Sequence, residues 1–144
     1  MVKDKSNVKT FLKRLKELNK KVVEVGILSS TDGEIILIAS VHEFGAPSVN
    51  IPERSYIRAG FDKYKEEIAD FADTLVDKYL HGNLELDTML NTIGEYAVSK
   101  IRRYMVDLQD PPNRPSTIEQ KGSSNPLIDT GHLLQSISYR IKEV

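Results

Sequence analysis

Glu34-Ile35-Ile36-Leu37-Ile38-Ala39-Ser40-Val41-His42-Glu43-Phe44-Gly45 is the stretch on which the architecture turns. Its first half, Ile35 to Ile38, is apolar and β-branched enough for a strand, and Asp32-Gly33 in front of it suits a hairpin turn. Its second half, Ala39 to Phe44, favours a helix, and Gly45 is placed to end one. As a strand, the segment would make a hairpin and enlarge the sheet. As a helix, it leaves the sheet small. Composition holds both readings open, with the balance towards a short helix.

Upstream, Val22-Val23-Glu24-Val25-Gly26-Ile27-Leu28 is β-branched and apolar and reads as a strand, followed by turn residues from Ser29 to Gly33. Before it, Val8, Phe11, Leu12, Leu15 and Leu18 recur at steps of three and four, the period of an amphipathic helix. Ser6 or Asn7 can cap that helix, and Asn19 stands where it should end. Downstream, Gly45 to Ser55 holds two prolines and reads as an extended loop.

From about Ile57 to Leu80 the pattern predicts a long helix that buries Phe61, Tyr64, Ile68, Phe71, Leu75 and Tyr79 and stops at His81-Gly82. A second runs from about Leu84 to Leu108, with Leu86, Leu90, Ile93, Ala97, Ile101 and Leu108 on one side. The short link makes the two antiparallel neighbours. Gly94, unfavourable in a helix interior, predicts a close helix–helix contact. Asp110 to Pro115 stops the helix, Ser116 to Glu119 has capping-box spacing, and Lys121 to Pro126 is polar. Ser136 to Lys142 alternates as a strand with Ile137, Tyr139 and Ile141 inward. The expected fold is therefore α+β. A small antiparallel or mixed sheet packs against an N-terminal helix and two long antiparallel helices, in one domain over residues 1–144.

A chain of 144 residues with 40% hydrophobic content is long enough for one real core. It has no cysteine and no tryptophan, which removes disulfides, thiolate nucleophiles and cysteine metal sites. A net charge of −1 gives no general drive towards nucleic acid or membrane. No apolar run reaches the length of a membrane span, and the basic start lacks the apolar stretch of a signal peptide. The expectation is a soluble protein, made in the cytoplasm, with no membrane partner.

Catalytic patterns are missing from the sequence. His42, His81 and His132 are scattered, and His42-Glu43 lacks the second histidine four residues on that a zinc helix uses. Gly122-Ser123-Ser124 has its lysine before the glycine and no glycine loop ahead of it, so it does not resemble a phosphate loop. Ser116, Ser123 and Ser124 have no histidine nearby in sequence, although a fold can supply one. No catalytic, metal or cofactor-binding residue is assigned, no cofactor is expected, and the protein is read as a non-enzyme.

Two stretches carry a resemblance. The first joins Val25-Gly26-Ile27, Ile38-Ala39-Ser40-Val41-His42-Glu43-Phe44-Gly45 and Ile51-Pro52-Glu53-Arg54-Ser55-Tyr56-Ile57-Arg58. The second joins Pro111-Pro112-Asn113-Arg114-Pro115-Ser116-Thr117-Ile118 and Lys121-Gly122-Ser123-Ser124-Asn125-Pro126-Leu127-Ile128-Asp129-Thr130-Gly131. In order and spacing they resemble the signature blocks of small neck and minor tail proteins of tailed bacteriophages and prophages, the virion-morphogenesis or tail-completion group. Ser55 and Gly60 depart from that pattern, where a proline is common.

The resemblance implies a structural virion subunit at the head–tail junction, assembled in the host bacterial cytoplasm. It implies a ring of identical copies, six to match the symmetry of tails, that joins the tail to the DNA-filled head. Its partners would be other copies, neck or head-connector proteins, and the tail terminator or tail tube, with DNA passing through unread. The contact residues expected on these blocks are Glu43, Phe44, Pro52, Glu53, Arg54 and Arg58 in the first and Arg114, Lys121, Asp129 and Thr130 in the second. A tail terminator, which caps the tube and fixes its length, is the alternative of the same class.

Two charged rows stand apart from the resemblance. Lys9, Lys13, Lys16 and Lys20 follow steps of four, three and four on the first helix, and Glu66, Asp70, Asp73 and Asp77 repeat those steps on the first long helix. Each set forms a narrow band, the acidic one opposite the buried stripe. In a ring, the acidic band would face either the DNA channel or the basic helix of the next subunit; the plain alternative is that both bands are simply solvated. A different class of function, DNA binding, rests on the basic start: Lys3, Lys5, Lys9, Lys13, Arg14, Lys16, Lys20 and Lys21 against Asp4 and Glu17.

Overall fold

α1 (Lys5–Leu18) opens a computed structural model that describes residues 5–28, 31–108 and 131–144. The expected helix stop at Asp110 to Pro115, the capping box at Ser116 to Glu119 and the polar stretch Lys121 to Pro126 lie outside the described residues. After α1, β1 (Lys21–Ile27) follows directly.

The deciding segment is a helix, α2 (Gly33–Phe44). Asp32 starts it, its carboxylate accepting the Glu34 N–H at 2.9 Å. Gly45 ends it with φ 75°, its N–H donating to the Val41 carbonyl at 2.7 Å. Asp32-Gly33 is thus a helix start, not a hairpin turn. β1 takes its partner from the far end of the chain instead: β2 (Ile137–Glu143), antiparallel, in register from Lys21 opposite Glu143 to Ile27 opposite Ile137. A short α5 (His132–Ser136) leads into β2. Along β2, Ile137 is buried and Tyr139 and Ile141 are half-buried, the alternation of a strand with one face on the core.

The stretch from Gly45 to Ser55 is more folded than an extended loop. Ala46 and Ile51 exchange backbone hydrogen bonds of 2.9 and 3.1 Å around a 3₁₀ turn, Pro47–Val49, closed by Asn50 at φ 55°. The physical reason lies in residue types already visible. Proline at the head of the turn has its φ fixed and no N–H to satisfy, and asparagine tolerates the left-handed region better than most.

α3 (Ile57–Leu80) and α4 (Leu86–Asp107) are the two long helices. They run antiparallel: Gly60 meets Tyr104, Glu67 pairs with Lys100, and Phe71 stacks on Tyr96 at 4.0 Å between centroids. On α3, Tyr64, Ile68 and Tyr79 are buried and Phe71 and Leu75 half-buried, whereas Phe61 stays 49% exposed. α4 is the spine. Val98, Ile101 and Met105 pack with Ala39, Tyr56 and Ile137; Ala97 packs with Tyr64 and Ile68; Met89 and Leu90 pack with Tyr79. One helix thus joins α2, α3 and the sheet.

Gly94 corrects the expectation of a helix–helix contact. It lies under the ring of Tyr139 on β2, where an added Cβ would come within 2.6 Å of the ring carbon Cγ. The ring cannot swing clear, because the Tyr139 hydroxyl donates to Asn91 Oδ1 at 2.8 Å, one turn earlier on α4. The close contact between α3 and α4 belongs to Gly60, where a Cβ would sit 3.2 Å from Tyr104 Cβ. Gly94→Ala should therefore lower stability by about 1–3 kcal/mol, the usual range for overpacking. Tyr139→Leu in the same chain should recover part of that loss, both read as urea midpoints. A neutral Gly94→Ala would disprove the contact.

Candidate functional site

The last two stretches of the first block, Ile38 to Gly45 and Ile51 to Arg58, form one cross-braced unit at the head of α3, and Glu43 is its centre. Glu43 ends α2 and is 6% exposed. Its Oε2 accepts the backbone N–H groups of Tyr56 at 3.0 Å and Ile57 at 3.1 Å. Its Oε1 accepts the Arg58 N–H at 3.1 Å, the Arg58 Nε at 2.9 Å and the Ser55 hydroxyl at 2.9 Å. The Ala59 N–H turns to Ser55 Oγ at 3.4 Å, and the first α3 ladder bond then runs from the Gly60 N–H to the Tyr56 carbonyl.

Every N–H at the start of α3 is thereby satisfied, four of them by side chains. The carboxylate also sits at the positive end of the helix dipole. Burial pushes the Glu43 carboxyl up, but the hydrogen bonds from Arg58 and from the Ile57, Arg58 and Tyr56 N–H groups outweigh it. The net effect holds it below its ordinary value.

Arg58 ties the unit to the preceding loop. Its Nη2 donates to the Glu43 carbonyl and to Glu53 Oε1, both at 2.8 Å, and its guanidinium lies 4.9 Å from the centre of the Phe44 ring. Gly45 permits the turn. Its φ is left-handed, and a Cβ there would meet the Glu53 backbone nitrogen at 2.9 Å. The Arg54 N–H donates to the His42 carbonyl at 2.7 Å, and Arg54 itself is 7% exposed. Tyr56 is fully buried, and its hydroxyl has no hydrogen-bond partner among the described residues. Burial and the Glu43 charge push that phenol well above its usual range, so it stays neutral.

Of the six contact residues expected here, Glu43, Phe44, Glu53 and Arg58 come together directly. Glu43 and Arg54 are internal and frame the loop; they are not displayed to a neighbour. Phe44 is 64% exposed, and Pro52, Glu53 and Arg58 are also exposed, so these four carry whatever surface the loop presents. Arg114, Lys121, Asp129 and Thr130 lie outside the described residues.

The two departures from the family pattern each have a task. Ser55 caps α3 through Glu43, and Gly60 admits Tyr104 while donating an N–H that proline would lack. The capping role of Ser55 was missed in the sequence. The signal for it is a serine three residues before Arg58, at the head of a predicted helix.

The charged rows lie elsewhere. Lys9, Lys13 and Lys16 project from α1; Lys20 sits in the turn just beyond it, and all four line one shallow open depression. Arg14 turns the other way, donating to the Tyr79 carbonyl at 2.6 Å, while Tyr79 donates back to the Arg14 carbonyl at 3.1 Å. Lys21 pairs with Glu143 at 2.8 Å. Among the described residues, Arg14 and Lys21 thus leave the lysine row for partners of their own. Glu66, Asp70, Asp73 and Asp77 are all exposed along α3.

Among the described residues, no three His, Asp or Glu side chains are grouped to hold a metal ion, and no helix is long and apolar enough to cross a membrane. No family model, curated protein or solved structure matches the chain.

Glu43→Gln keeps the shape but removes the charge and one acceptor oxygen. It should destabilise the fold by about 1–3 kcal/mol at neutral pH, the range for leaving buried donors unmet. The folded carboxyl titrates below its ordinary 4.5. Its contribution is therefore complete above that pH and is lost as pH falls through the lower folded value. The gap between wild type and Glu43→Gln in urea midpoint should narrow on acidification from neutral to below pH 4.5; a gap that widens would refute the assignment.

Proposed function

We propose that this protein is a structural subunit of a tailed-phage neck, a tail-completion protein that forms a ring joining the tail to the DNA-filled head. The reading comes from the two sequence blocks. One observation carries it further: the separated parts of the first block, Glu43-Phe44-Gly45 and Glu53 to Arg58, are bonded to one another around a single carboxylate. A motif that is discontinuous in sequence is one rigid piece in space. It holds a loop in fixed shape on a packed core, which suits a contact surface between proteins.

The surface beside it supports the same reading. Phe44 at the end of α2 and Val49 in the 3₁₀ turn, with Leu37 and Ile38 on α2, are 64%, 64%, 64% and 42% exposed. Exposed apolar side chains at these positions suit a contact with another protein. Neighbouring copies, connector proteins above and the tail end below are the partners, with the ring lumen left to passing DNA. A heterologous contact, in which one face of each copy meets a different face of the next, closes such a ring.

Deletion of the gene from its phage or prophage, with the lysate imaged by negative-stain microscopy, tests the role. DNA-filled heads beside separate tails of normal length are expected. Tails of uncontrolled length would assign the terminator role instead, and intact infectious particles would overturn the reading.

A further inference from the structure

We infer that the lysine face of α1 in one copy docks on the carboxylate face of α3 in a second copy. Both faces are built, and the described residues leave both open. α1 contains no buried residue, and Val8, Leu12 and Leu15 form an apolar row that is 42%, 49% and 36% exposed. On a helical projection this row runs along one flank of Lys9, Lys13 and Lys16. Leu12 and Glu17 line the same shallow depression as the four lysines.

Ionic partners elsewhere in the chain are plentiful. Lys21, Arg58, Lys65, Lys100, Arg103, Arg140 and Lys142 all have carboxylates within 4.0 Å. Among the described residues, Lys9, Lys13, Lys16 and Lys20 have none. Glu66, Asp70 and Asp73 likewise have no cation, and Asp77 faces only His81 on its own helix, at 3.3 Å.

The two rows match in step and length. Lys9, Lys13 and Lys16 on α1 repeat the spacing of Glu66, Asp70 and Asp73 on α3, about 10 Å along each helix, with Lys20 just past the end of α1 and Asp77 one step further along α3. The acidic row is flanked by exposed Ala69, a small residue on which the Val8–Leu12–Leu15 row can close. The pairing cannot form within one chain, because α1 already rests on the end of α3 through its opposite face. Arg14 holds Tyr79 there, and the Phe11 ring meets His81 at 6.1 Å between centroids, which leaves the lysines turned away. One face that donates and a different face that accepts give head-to-tail addition, copy after copy.

Duplex DNA is the other occupant that a lysine row suits. It would leave the apolar row uncovered, and nothing in it matches the carboxylate spacing that a second copy supplies. The inference stands on these surfaces and not on the phage reading.

The absence of cysteine allows a direct test. Leu12→Cys and Ala69→Cys are made in separate chains, at exposed positions, and circular dichroism verifies that both are folded. Mixed and oxidised, they should form a disulfide-linked dimer about tenfold faster than Leu12→Cys mixed with Ser99→Cys on the outer side of α4, as expected for a steered encounter. Adding Lys9→Glu, Lys13→Glu and Lys16→Glu to the Leu12→Cys chain should erase that advantage. So should raising salt from about 0.1 M to about 1 M, which shortens the screening length from about 10 Å to about 3 Å.

A Leu12–Ala69 rate no greater than the control would overturn the pairing. A salt-sensitive shift of duplex DNA that depends on the same lysines, without the cross-link, would overturn it too and give the face to nucleic acid. Purified protein is used throughout, so this result and the deletion phenotype can fail separately.

Discussion

The carboxylate of Glu43 is the constraint on which the middle of this molecule depends. A helix as long as α3 must begin somewhere, and its first N–H groups have no partners of their own. Here they are met by a side chain from the end of α2, so one helix is capped by another. The charge is tolerable inside because three backbone donors, a serine hydroxyl and a guanidinium surround it. Removing any one leaves a buried anion short of hydrogen bonds, which is why the unit behaves as a whole. The loop between the two helices, with its 3₁₀ turn and left-handed Gly45, has its ends fixed by that single group.

Around this clamp the core is organised by α4. It touches α2, α3 and both strands, and its buried residues run nearly its whole length from Met89 to Met105. The periphery is looser. α1 is held by Arg14, Tyr79 and Glu17, and by Leu18 packed beside Val23, Leu80 and Ile141. This division separates tasks. The interior is closed by α4 and the sheet, while the lysine row of α1 and the carboxylates Glu66, Asp70 and Asp73 on the outer face of α3 form no ion pair among the described residues.

Much of this was legible in the residues, and the failures have causes. Periodicity gave α1, α3, α4 and β2, since a long apolar stripe is hard to misread, and β-branched composition gave β1. The α2 segment was ambiguous because Ile35 to Ile38 suit either element; the deciding facts were local, Asp32 as cap and Gly45 as stop. Gly94 was visible as a close-contact position, but nothing in sequence names the neighbour, and a strand tyrosine came in place of a helix. Glu43 and Arg54 were noticed for the right stretch and given an outward role. Charge suggests exposure, and only three-dimensional structure shows that five donors converge on the Glu43 carboxylate. The charged rows were legible in full, except that Lys20 lies past the helix end.

The register of the sheet sets a timetable. β1 has no partner until β2 exists, and Ile27 pairs with Ile137, so roughly 110 residues of chain separate them. At a synthesis rate of about 5–20 residues per second, β1 therefore waits on the order of 5–20 s on the ribosome with its backbone unpaired. A strand rich in Val22, Val23, Val25 and Ile27 is prone to wrong pairings during such a wait. Lys21 and Glu24, which later bond to Glu143 and Arg140, are the charges this strand carries meanwhile, and charge on an unpaired strand opposes wrong pairing. The same two residues act twice, first as charges on an unpaired strand and then as one half of the ion pairs that close the finished sheet.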